Sequence, residues 1–273
     1  MSYDLGRRHW RYVGIVDGFV LVTHAESRQS RWLDLHRWPP KPLPIRDEWT
    51  RAVCAGATLV GWNAQRVYTW SAPEKRRTPI ALPKEHGYRA VGMIEGRVVL
   101  VPGALEPSPL PRAPTTIVYD NGWRPLAGAG GHAATMAGVV GRFVVWGGRV
   151  LRYADGLLPV VAGDLPASDG LDLVPDGDGF ITVAGGKLVF VSLDGAQRED
   201  RAVGQLALVG VTRYEGALLL RDARKHYLYD REARTHAPLD LGTTADDPAT
   251  LFAAPAGLIG LTDDGRYLIR YRV

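Results

Sequence analysis

The sequence predicts an all-β fold built from repeated four-stranded units, and three observations lead to this prediction. Short runs rich in Val, Leu, Ile and aromatic residues recur along the 273-residue chain, which also contains 32 Gly and 19 Pro. Hairpin patterns that contain glycine recur at a nearly constant interval. No window keeps the i, i+3, i+4, i+7 apolar pattern over the roughly 10–12 residues that identify a helix. We therefore expect the repeated elements to be strands.

Each unit begins with a hairpin whose turn contains glycine. An apolar run precedes this glycine and a second run follows it, and glycine suits such turns because it adopts a positive φ without steric cost. The turn glycines are separated by 38, 40, 45, 38, 37 and 41 residues, and they are Gly18, Gly56, Gly96, Gly141, Gly179, Gly216 and Gly257. The longest interval contains the proline-rich insertion 102–114.

A third and a fourth strand are predicted after the hairpins. The third run carries alternating aromatic residues, as in segments 66–70 and 226–229, and a polar turn leads to a weaker fourth run. The seventh unit ends after its third run, so we expect residues 4–10 to supply its fourth strand and to remove the exposed edges of an open array. We expect a single domain over residues 1–273, with units that begin near residues 11, 50, 88, 133, 171, 208 and 249.

Four strands per unit and a period near 40 residues resemble the blades of the β-propeller superfamily. The resemblance implies a seven-bladed β-propeller of four-stranded antiparallel blades, with the last blade closed by the N-terminal strand. Six or eight blades are the alternatives. Trp-Asp dipeptides are absent from the sequence, and paired glycines occupy similar places in only two units, at 147–148 and 185–186. The resemblance is therefore architectural, and no family-specific function follows from it.

Composition and charge exclude several classes of protein. Hydrophobic residues make up 46% of the chain and charged residues 23%, which excludes disorder, collagen and coiled coil. No run of 18 apolar residues is present to span a bilayer, so we expect no membrane insertion. The single cysteine, Cys54, allows no internal disulfide, and the polar N-terminal segment lacks the apolar stretch of a signal peptide. We therefore expect a cytoplasmic protein.

The motifs of metal and nucleophile chemistry are incomplete in this sequence. The seven histidines lack the spacing of zinc ligands, and the calcium-loop pattern that begins at Asp176 has Lys187 where an acidic ligand is required. Cys54 lies within a predicted strand, where a small buried residue is the natural interpretation. We predict no catalytic residue, no cofactor and no metal, and the sequence favours a protein that is not an enzyme.

Cations and aromatic residues interleave in the first third of the chain, where residues 1–88 hold 14 Lys and Arg against 8 Asp and Glu. Arg and Trp are enriched at the hot spots of protein interfaces, and the same mixture is typical of single-stranded nucleic-acid binding. Packing between units is the third interpretation, because several of these residues alternate within strands. The net charge of only +4 favours a protein partner over nucleic acid. The candidate partner surface comprises Arg31, Trp32, Arg37, Trp38, Arg66, Trp70, Arg76 and Arg77.

A second group of polar side chains falls in the loops that would surround the channel of a propeller. Carboxylates and histidines that converge there can shift one another's pKa values and act as acid and base. Ordinary solvated loops are the alternative interpretation. The candidate channel-mouth residues are Asp47, Glu48, His86, His132, Asp169, Asp222, Arg224 and Asp246.

The sequence leaves three hypotheses for function. The first is a non-catalytic interaction platform of bacterial type, which binds a protein partner within a larger cytoplasmic assembly. The second is a lyase or hydrolase at the channel mouth that acts on a small polar or sugar-like substrate, with His86, His132 and nearby carboxylates as acid and base. The third is a sensor of a ligand or a nucleic acid. The sequence sets no oligomeric state.

Overall fold

β-Branched residues, leucine and aromatic residues form strands throughout the part of the chain that the structure describes. The structure is a computed structural model, and it describes residues 1–27, 29–47, 51–55, 58–62, 67–71, 76–102, 111, 115–126, 136–140, 143–146, 149–153, 157–159, 165, 173–192, 196–223, 225–239, 241 and 250–271. Within these residues, 28 strands pair into seven four-stranded antiparallel sheets. The prediction of an all-β fold with four-stranded antiparallel units is confirmed.

The first four sheets, numbered along the chain, each contain four consecutive strands. Sheet 1 contains β2 (Trp10–Val16), β3 (Phe19–His24), β4 (Ser30–Asp34) and β5 (Lys41–Asp47). Sheet 2 contains β6 (Arg51–Ala55), β7 (Thr58–Trp62), β8 (Val67–Ser71) and β9 (Arg76–Ile80). Sheet 3 contains β10 (Tyr88–Ile94), β11 (Arg97–Pro102), β12 (Ile117–Tyr119) and β13 (Trp123–Pro125). Sheet 4 contains β14 (Met136–Val140), β15 (Phe143–Trp146), β16 (Arg149–Tyr153) and β17 (Leu157–Pro159).

Sheets 5 and 6 repeat this order, and sheet 7 combines the two ends of the chain. Sheet 5 contains β18 (Val174–Asp176), β19 (Gly179–Ala184), β20 (Lys187–Ser192) and β21 (Gln197–Arg201). Sheet 6 contains β22 (Gly210–Tyr214), β23 (Ala217–Arg221), β24 (His226–Asp230) and β25 (Thr235–Pro238). Sheet 7 contains β26 (Thr250–Ala254), β27 (Gly257–Leu261), β28 (Tyr267–Arg270) and β1 (Ser2–Asp4).

The outer strand of sheet 7 comes from the N-terminal end of the described chain, where β1 pairs antiparallel with β28. This strand covers Ser2–Asp4, which corrects the expected bounds of 4–10. The backbone explains the difference, because Asp4 accepts a hydrogen bond from the Gly6 N–H at 2.7 Å and the chain turns there. Gly6 and His9 both adopt left-handed conformations, with φ of +80° and +68°. Residues between β1 and β2 therefore form a connection rather than a strand.

Hydrophobic side chains pack between neighbouring sheets and join them into a ring. Among the described residues, six clusters of buried side chains each combine two successive sheets, from sheets 1 and 2 to sheets 6 and 7. A further cluster combines Leu33 of sheet 1 with Phe252 and Leu268 of sheet 7, so the last sheet packs against the first. Burial of each such Leu or Phe contributes about 1.5–3 kcal/mol by removing it from water.

The first strands of the sheets surround a central channel, and the architecture is that of a β-propeller. First strands of neighbouring sheets contact one another, as β2 does with β6 and β22 with β26. Loops that enter the first strands, and loops between second and third strands, emerge at one end of the channel, because adjacent strands are antiparallel. We call this end the upper face. The hairpin turns between first and second strands, and the loops between third and fourth strands, form the lower face.

One turn glycine is required by its surroundings on the lower face. Gly18 has a φ of +74°, and a Cβ at this position would lie 2.8 Å from both the His36 ring and Pro255. The Gly18 carbonyl also accepts a hydrogen bond from the Leu35 N–H at 2.8 Å. Glycine therefore provides both the turn of sheet 1 and the close approach of the sheet 7 turn that contains Pro255.

Candidate functional site

A cavity lies at the upper end of the channel, beside the first strands of sheets 1, 5, 6 and 7. Its volume is about 460 Å³, which falls within the range of about 300–1,000 Å³ that is typical of small-molecule sites. Strands β2, β18, β22 and β26 form most of the wall, and sheet 6 adds residues from its second and third strands. Polar and aromatic side chains on this wall belong to Tyr12, Thr212, Arg221, His226, Thr250 and Phe252.

A tight turn in sheet 6 brings Arg221 and His226 to the cavity. Arg221 ends β23 and His226 begins β24, and the two residues are paired across the strands. Asp222 fixes the turn, because its carboxylate accepts hydrogen bonds from the Lys225 backbone N–H at 2.7 Å and the Tyr227 hydroxyl at 3.0 Å. Such side-chain to backbone bonds are typical of Asp in turns. The pairing of the strands and this turn together determine the positions of Arg221 and His226 in the cavity wall.

The Asp222 carboxylate also affects the pKa of its neighbour Tyr227. The hydrogen bond that Tyr227 donates to Asp222 raises the pKa of the Tyr227 phenol, and burial of the phenol and the negative charge of Asp222 act in the same direction. A phenol is already protonated at neutral pH, and the raised pKa reinforces the role of Tyr227 as the donor. His236 packs edge-on against the Tyr227 ring, with the ring centroids 5.7 Å apart.

Another part of the cavity wall is aromatic. Tyr12 of sheet 1 and Phe252 of sheet 7 stack with their ring centroids 4.5 Å apart and an interplanar angle of 19°. Among the described residues that line the cavity, Arg221 and His226 supply the basic groups, and neither Asp nor Glu is present. The cavity thus combines N–H donors that suit an anion with apolar ring surface.

Two of the predicted channel-mouth side chains are described, and the structure places them in different sectors of the ring. Asp222 lies in the sheet 6 turn, whereas His86 is partly exposed in the connection between sheets 2 and 3. Neither belongs to the described cavity wall. Asp47 is the last residue of β5, and its side chain lies outside the described part of the structure. Five predicted residues lie outside the described residues altogether, namely Glu48, His132, Asp169, Arg224 and Asp246.

The prediction of the channel mouth included the loop of the sixth unit that begins at Arg221, but it did not include His226. A signal for Arg221 and His226 exists in the sequence, because both flank the short polar loop between the second and third runs of the sixth unit. Residues that flank a hairpin loop are cross-strand neighbours and share one face of the sheet. Only the closed ring shows that this pair reaches the cavity, since the other walls belong to sheets distant in sequence.

Trp32 and Trp70 require a correction to the candidate partner surface. Both side chains are buried between sheets 1 and 2, with exposed fractions of 0% and 1%, so they are inaccessible to a partner. Their rings stack with centroids 4.4 Å apart and an interplanar angle of 27°. Both faces of a propeller sheet are covered by neighbouring sheets, and these tryptophans therefore belong to the interior. The packing interpretation applies to them.

Arg31 lies on the upper face, where it contacts the segment that precedes β2. Its guanidinium donates a hydrogen bond to the Leu5 carbonyl at 2.8 Å and lies 4.6 Å from the centroid of the Trp10 ring. A cation above an aromatic face contributes about 0.5–1 kcal/mol at an exposed site. The Arg31 side chain therefore helps to hold the closing segment against sheet 1.

Arg37 and Trp38 lie on the lower face, in the loop between β4 and β5, and we call this pair the lower-edge pair. Arg37 is exposed, and Trp38 is partly exposed while it packs against the cluster between sheets 7 and 1. Arg76 and Arg77 begin β9 at the same end of sheet 2, although their side chains lie outside the described part, as does the whole of Arg66. The predicted surface is thus divided between the upper face, the interior and the lower face.

A short network holds the lower-edge pair in place. Asp34 accepts hydrogen bonds from the His36 backbone N–H at 3.0 Å and from the His36 ring Nδ1 at 2.8 Å. Burial of Asp34 raises the pKa of its carboxyl, but these bonds and the charges of His36 and Arg37 outweigh the burial, so the pKa is lowered. Asp34 is therefore ionised at neutral pH and orders the loop that carries Arg37.

The described part of the chain holds no group of three or more His, Cys, Asp or Glu side chains that is arranged to bind a metal ion. Within the same described residues, no helix has the length and apolar character needed to cross a bilayer.

Comparison with known proteins relates the chain to β-propellers of solved structure. No protein-family model matches the sequence, and no curated protein matches it. The β-propeller domain of Cps50 (Swd1) from Myceliophteria thermophila matches with a TM-score of 0.59 and 14% identity, over 100% of both chains. A chain in a structure of the mitotic checkpoint complex matches with a TM-score of 0.61 and 12% identity, over 100% of this chain and 91% of that chain. At these identities the likeness concerns the fold, and it agrees with the propeller architecture.

Proposed function

We propose that the chain is a non-catalytic interaction platform, a seven-bladed ring that binds a protein partner within a larger assembly. The observation that carries this proposal is the lower-edge pair, Arg37 and Trp38, which stays accessible while Trp32 and Trp70 pack inside the ring. Arg and Trp contribute disproportionately to binding energy at protein interfaces.

The loop that presents the lower-edge pair is ordered before any partner binds. In addition to the Asp34 network, the Leu35 N–H donates to the Gly18 carbonyl at 2.8 Å, and the Leu35 carbonyl accepts from the Ala256 N–H at 3.0 Å. These bonds connect the loop to the hairpin turns of both sheet 1 and sheet 7. A surface that is already ordered loses less conformational entropy on binding, which favours affinity.

Two further observations support the proposal. One of the structural matches is a chain in a structure of the mitotic checkpoint complex. A ring of this fold can therefore be a subunit of a complex, which is the role that we propose for this chain. The single cysteine is consistent with an assembly in a reducing compartment such as the cytoplasm. We accordingly infer a cytoplasmic assembly with a protein partner.

Affinity purification of the chain from its native cells tests the proposal. We expect a protein partner in stoichiometric amount. Because Arg37→Glu replaces a positive charge with a negative charge at the proposed interface, we expect this variant to reduce recovery of the partner at least tenfold. Arg124→Glu is the matched control, because Arg124 is an exposed arginine of sheet 3. Recovery of the chain alone, or equal loss of the partner from both variants, would contradict the proposal.

Trp38→Ala provides a second test at the same surface. Trp38 also packs against the cluster between sheets 7 and 1. The thermal unfolding of the Trp38→Ala variant is therefore measured alongside its recovery of the partner. We expect the variant to remain folded at the temperature of the binding experiment and to recover less partner. Full recovery of the partner by this folded variant would remove Trp38 from the proposed interface.

A further inference from the structure

We propose that the cavity at the upper end of the channel binds a small organic anion, a carboxylate or phosphate ester with an aromatic body, through Arg221 and His226. This inference is independent of the platform function, because the cavity and the lower-edge pair lie on opposite faces of the ring. Its basis is the composition and the geometry of the cavity wall.

The charge of the wall favours an anion. Arg221 and His226 are the basic side chains of the described wall, which contains neither Asp nor Glu. A guanidinium presents a planar set of N–H donors that matches a carboxylate or phosphate, and an imidazole adds a further ring nitrogen. A cationic ligand would instead lie close to the positive charge of Arg221. The described wall has no carboxylate to offset this repulsion, which is unfavourable in a partly enclosed site.

Strand register places Arg221 beside an open stretch of the inner strand. Its cross-strand partner is Gly210, the first residue of β22, and both residues line the cavity. Because glycine has no side chain, the inner strand leaves space next to the long Arg221 side chain. His226 is paired with Arg221 on the other side, so three adjacent strands of sheet 6 contribute Gly210, Arg221 and His226 in one row.

The turn beside this row is fixed. Both carboxylate oxygens of Asp222 accept hydrogen bonds within the turn, one from the Lys225 N–H and the other from the Tyr227 hydroxyl. His226 itself is buried, with an exposed fraction of 7%. The buried His226 side chain is therefore ordered before a ligand binds, which reduces the conformational entropy lost on binding.

The remaining wall suits the body of such a ligand. The stacked rings of Tyr12 and Phe252 supply apolar surface, and Thr212 and Thr250 supply hydroxyl groups that both donate and accept hydrogen bonds. The wall thus combines polar groups with apolar ring surface, and small-molecule sites use such polar groups to fix the orientation of a ligand. The arrangement therefore selects for an anionic group joined to an apolar body.

Titration calorimetry with four probes of similar shape tests the charge preference. The probes are benzoate and phenyl phosphate, with neutral benzamide and cationic benzylamine as comparisons. We expect at least one of the two anions to bind at least tenfold more tightly than benzamide, and we expect benzylamine to bind more weakly still. Benzamide or benzylamine binding as tightly as both anions would overturn the proposal, and so would the absence of binding by all four probes.

Arg221→Gln tests the assignment of the anion contact. We expect this variant to bind the preferred anion at least tenfold more weakly, while Arg124→Gln, which removes an exposed arginine of sheet 3, binds it as the unmodified chain does. Unchanged binding by a folded Arg221→Gln variant would overturn the assignment. If that variant does not fold, NMR of the unmodified chain must show intermolecular nuclear Overhauser contacts between the bound probe and the Tyr12 ring, and contacts only with residues outside the cavity would equally overturn the proposal.

Discussion

The junction between sheets 7 and 1 and the junction between sheets 1 and 2 both bury hydrophobic side chains, but they differ in their further contacts. At the first, the His9 N–H donates to the Asp264 carbonyl at 2.7 Å, so backbone hydrogen bonds join the two ends of the chain. At the second, Trp32 and Trp70 stack inside a cluster of aromatic side chains. Both junctions bury hydrophobic side chains, but only for the closing junction do backbone hydrogen bonds between the two ends of the chain add to this packing, so ring closure depends on backbone placement as well as on side-chain volume.

The largest effect is expected at the aromatic junction. Trp70→Ala removes a side chain that is 1% exposed and leaves a cavity beside Trp32, so we expect a loss of about 3–5 kcal/mol in the free energy of unfolding. Urea denaturation followed by circular dichroism measures this loss. Trp70→Phe keeps an aromatic ring and should lose clearly less, and equal losses for the two variants would show that volume does not govern this junction.

A smaller effect is expected from the backbone at the closing junction. Gly265 has a φ of +66°, and a Cβ there would lie 2.6 Å from the Trp10 backbone nitrogen, so Gly265→Ala must displace the sheet 7 turn from β2. Overpacking of this kind typically costs about 1–3 kcal/mol. Gly96→Ala is the matched control, because Gly96 has a similar φ of +78° with nothing within 4 Å of the added Cβ. Equal destabilisation of both variants in urea would show that close approach to Trp10 is unimportant.

The smallest effect is expected from the ion pair that supports the closing strand. The hydrogen bond from the Arg266 side chain lowers the pKa of Asp4, and the Gly6 N–H acts in the same direction. A lowered pKa in the folded state means that ionised Asp4 stabilises the fold above its ordinary value of 3.8 and that this contribution disappears as the pH falls below 3.8. We expect Asp4→Asn to lower the Tm slightly at pH 7.

A pH series of the Tm checks the sign of this effect. The difference between the unmodified chain and Asp4→Asn should shrink as the pH falls through and below 3.8, because protonated Asp4 resembles Asn. Asp263→Asn, at an exposed carboxylate of the same face, serves as the control. A difference that grows at low pH would contradict the assignment of the stabilising form.

The repeat could be predicted from the sequence because glycine turns and short apolar runs are local signals. The bounds of the closing strand could not, since they depend on where the chain turns. His9 is not a glycine, yet it adopts a positive φ because its backbone N–H and carbonyl bond to Asp264 and Ala25 of two different sheets. No local pattern carries that information.

The same limit applies to the candidate sites. Alternation within a strand indicates exposure when one face of a sheet meets solvent, but in this ring both faces meet other sheets, so the sequence does not show that Trp32 is buried. Arg221 and His226 could be paired from their positions around a hairpin loop, but their common cavity exists only after sheets 1, 5, 6 and 7 meet at the channel. The candidate sites therefore depend on long-range geometry.

Native mass spectrometry of the untreated assembly tests the platform function most directly. We predict a complex that contains this chain and a different protein in a fixed ratio, and we predict that the Arg37→Glu variant is found as the free chain while Arg124→Glu is found in the complex. Observation of the unmodified chain alone, at concentrations where it is folded, would contradict the account.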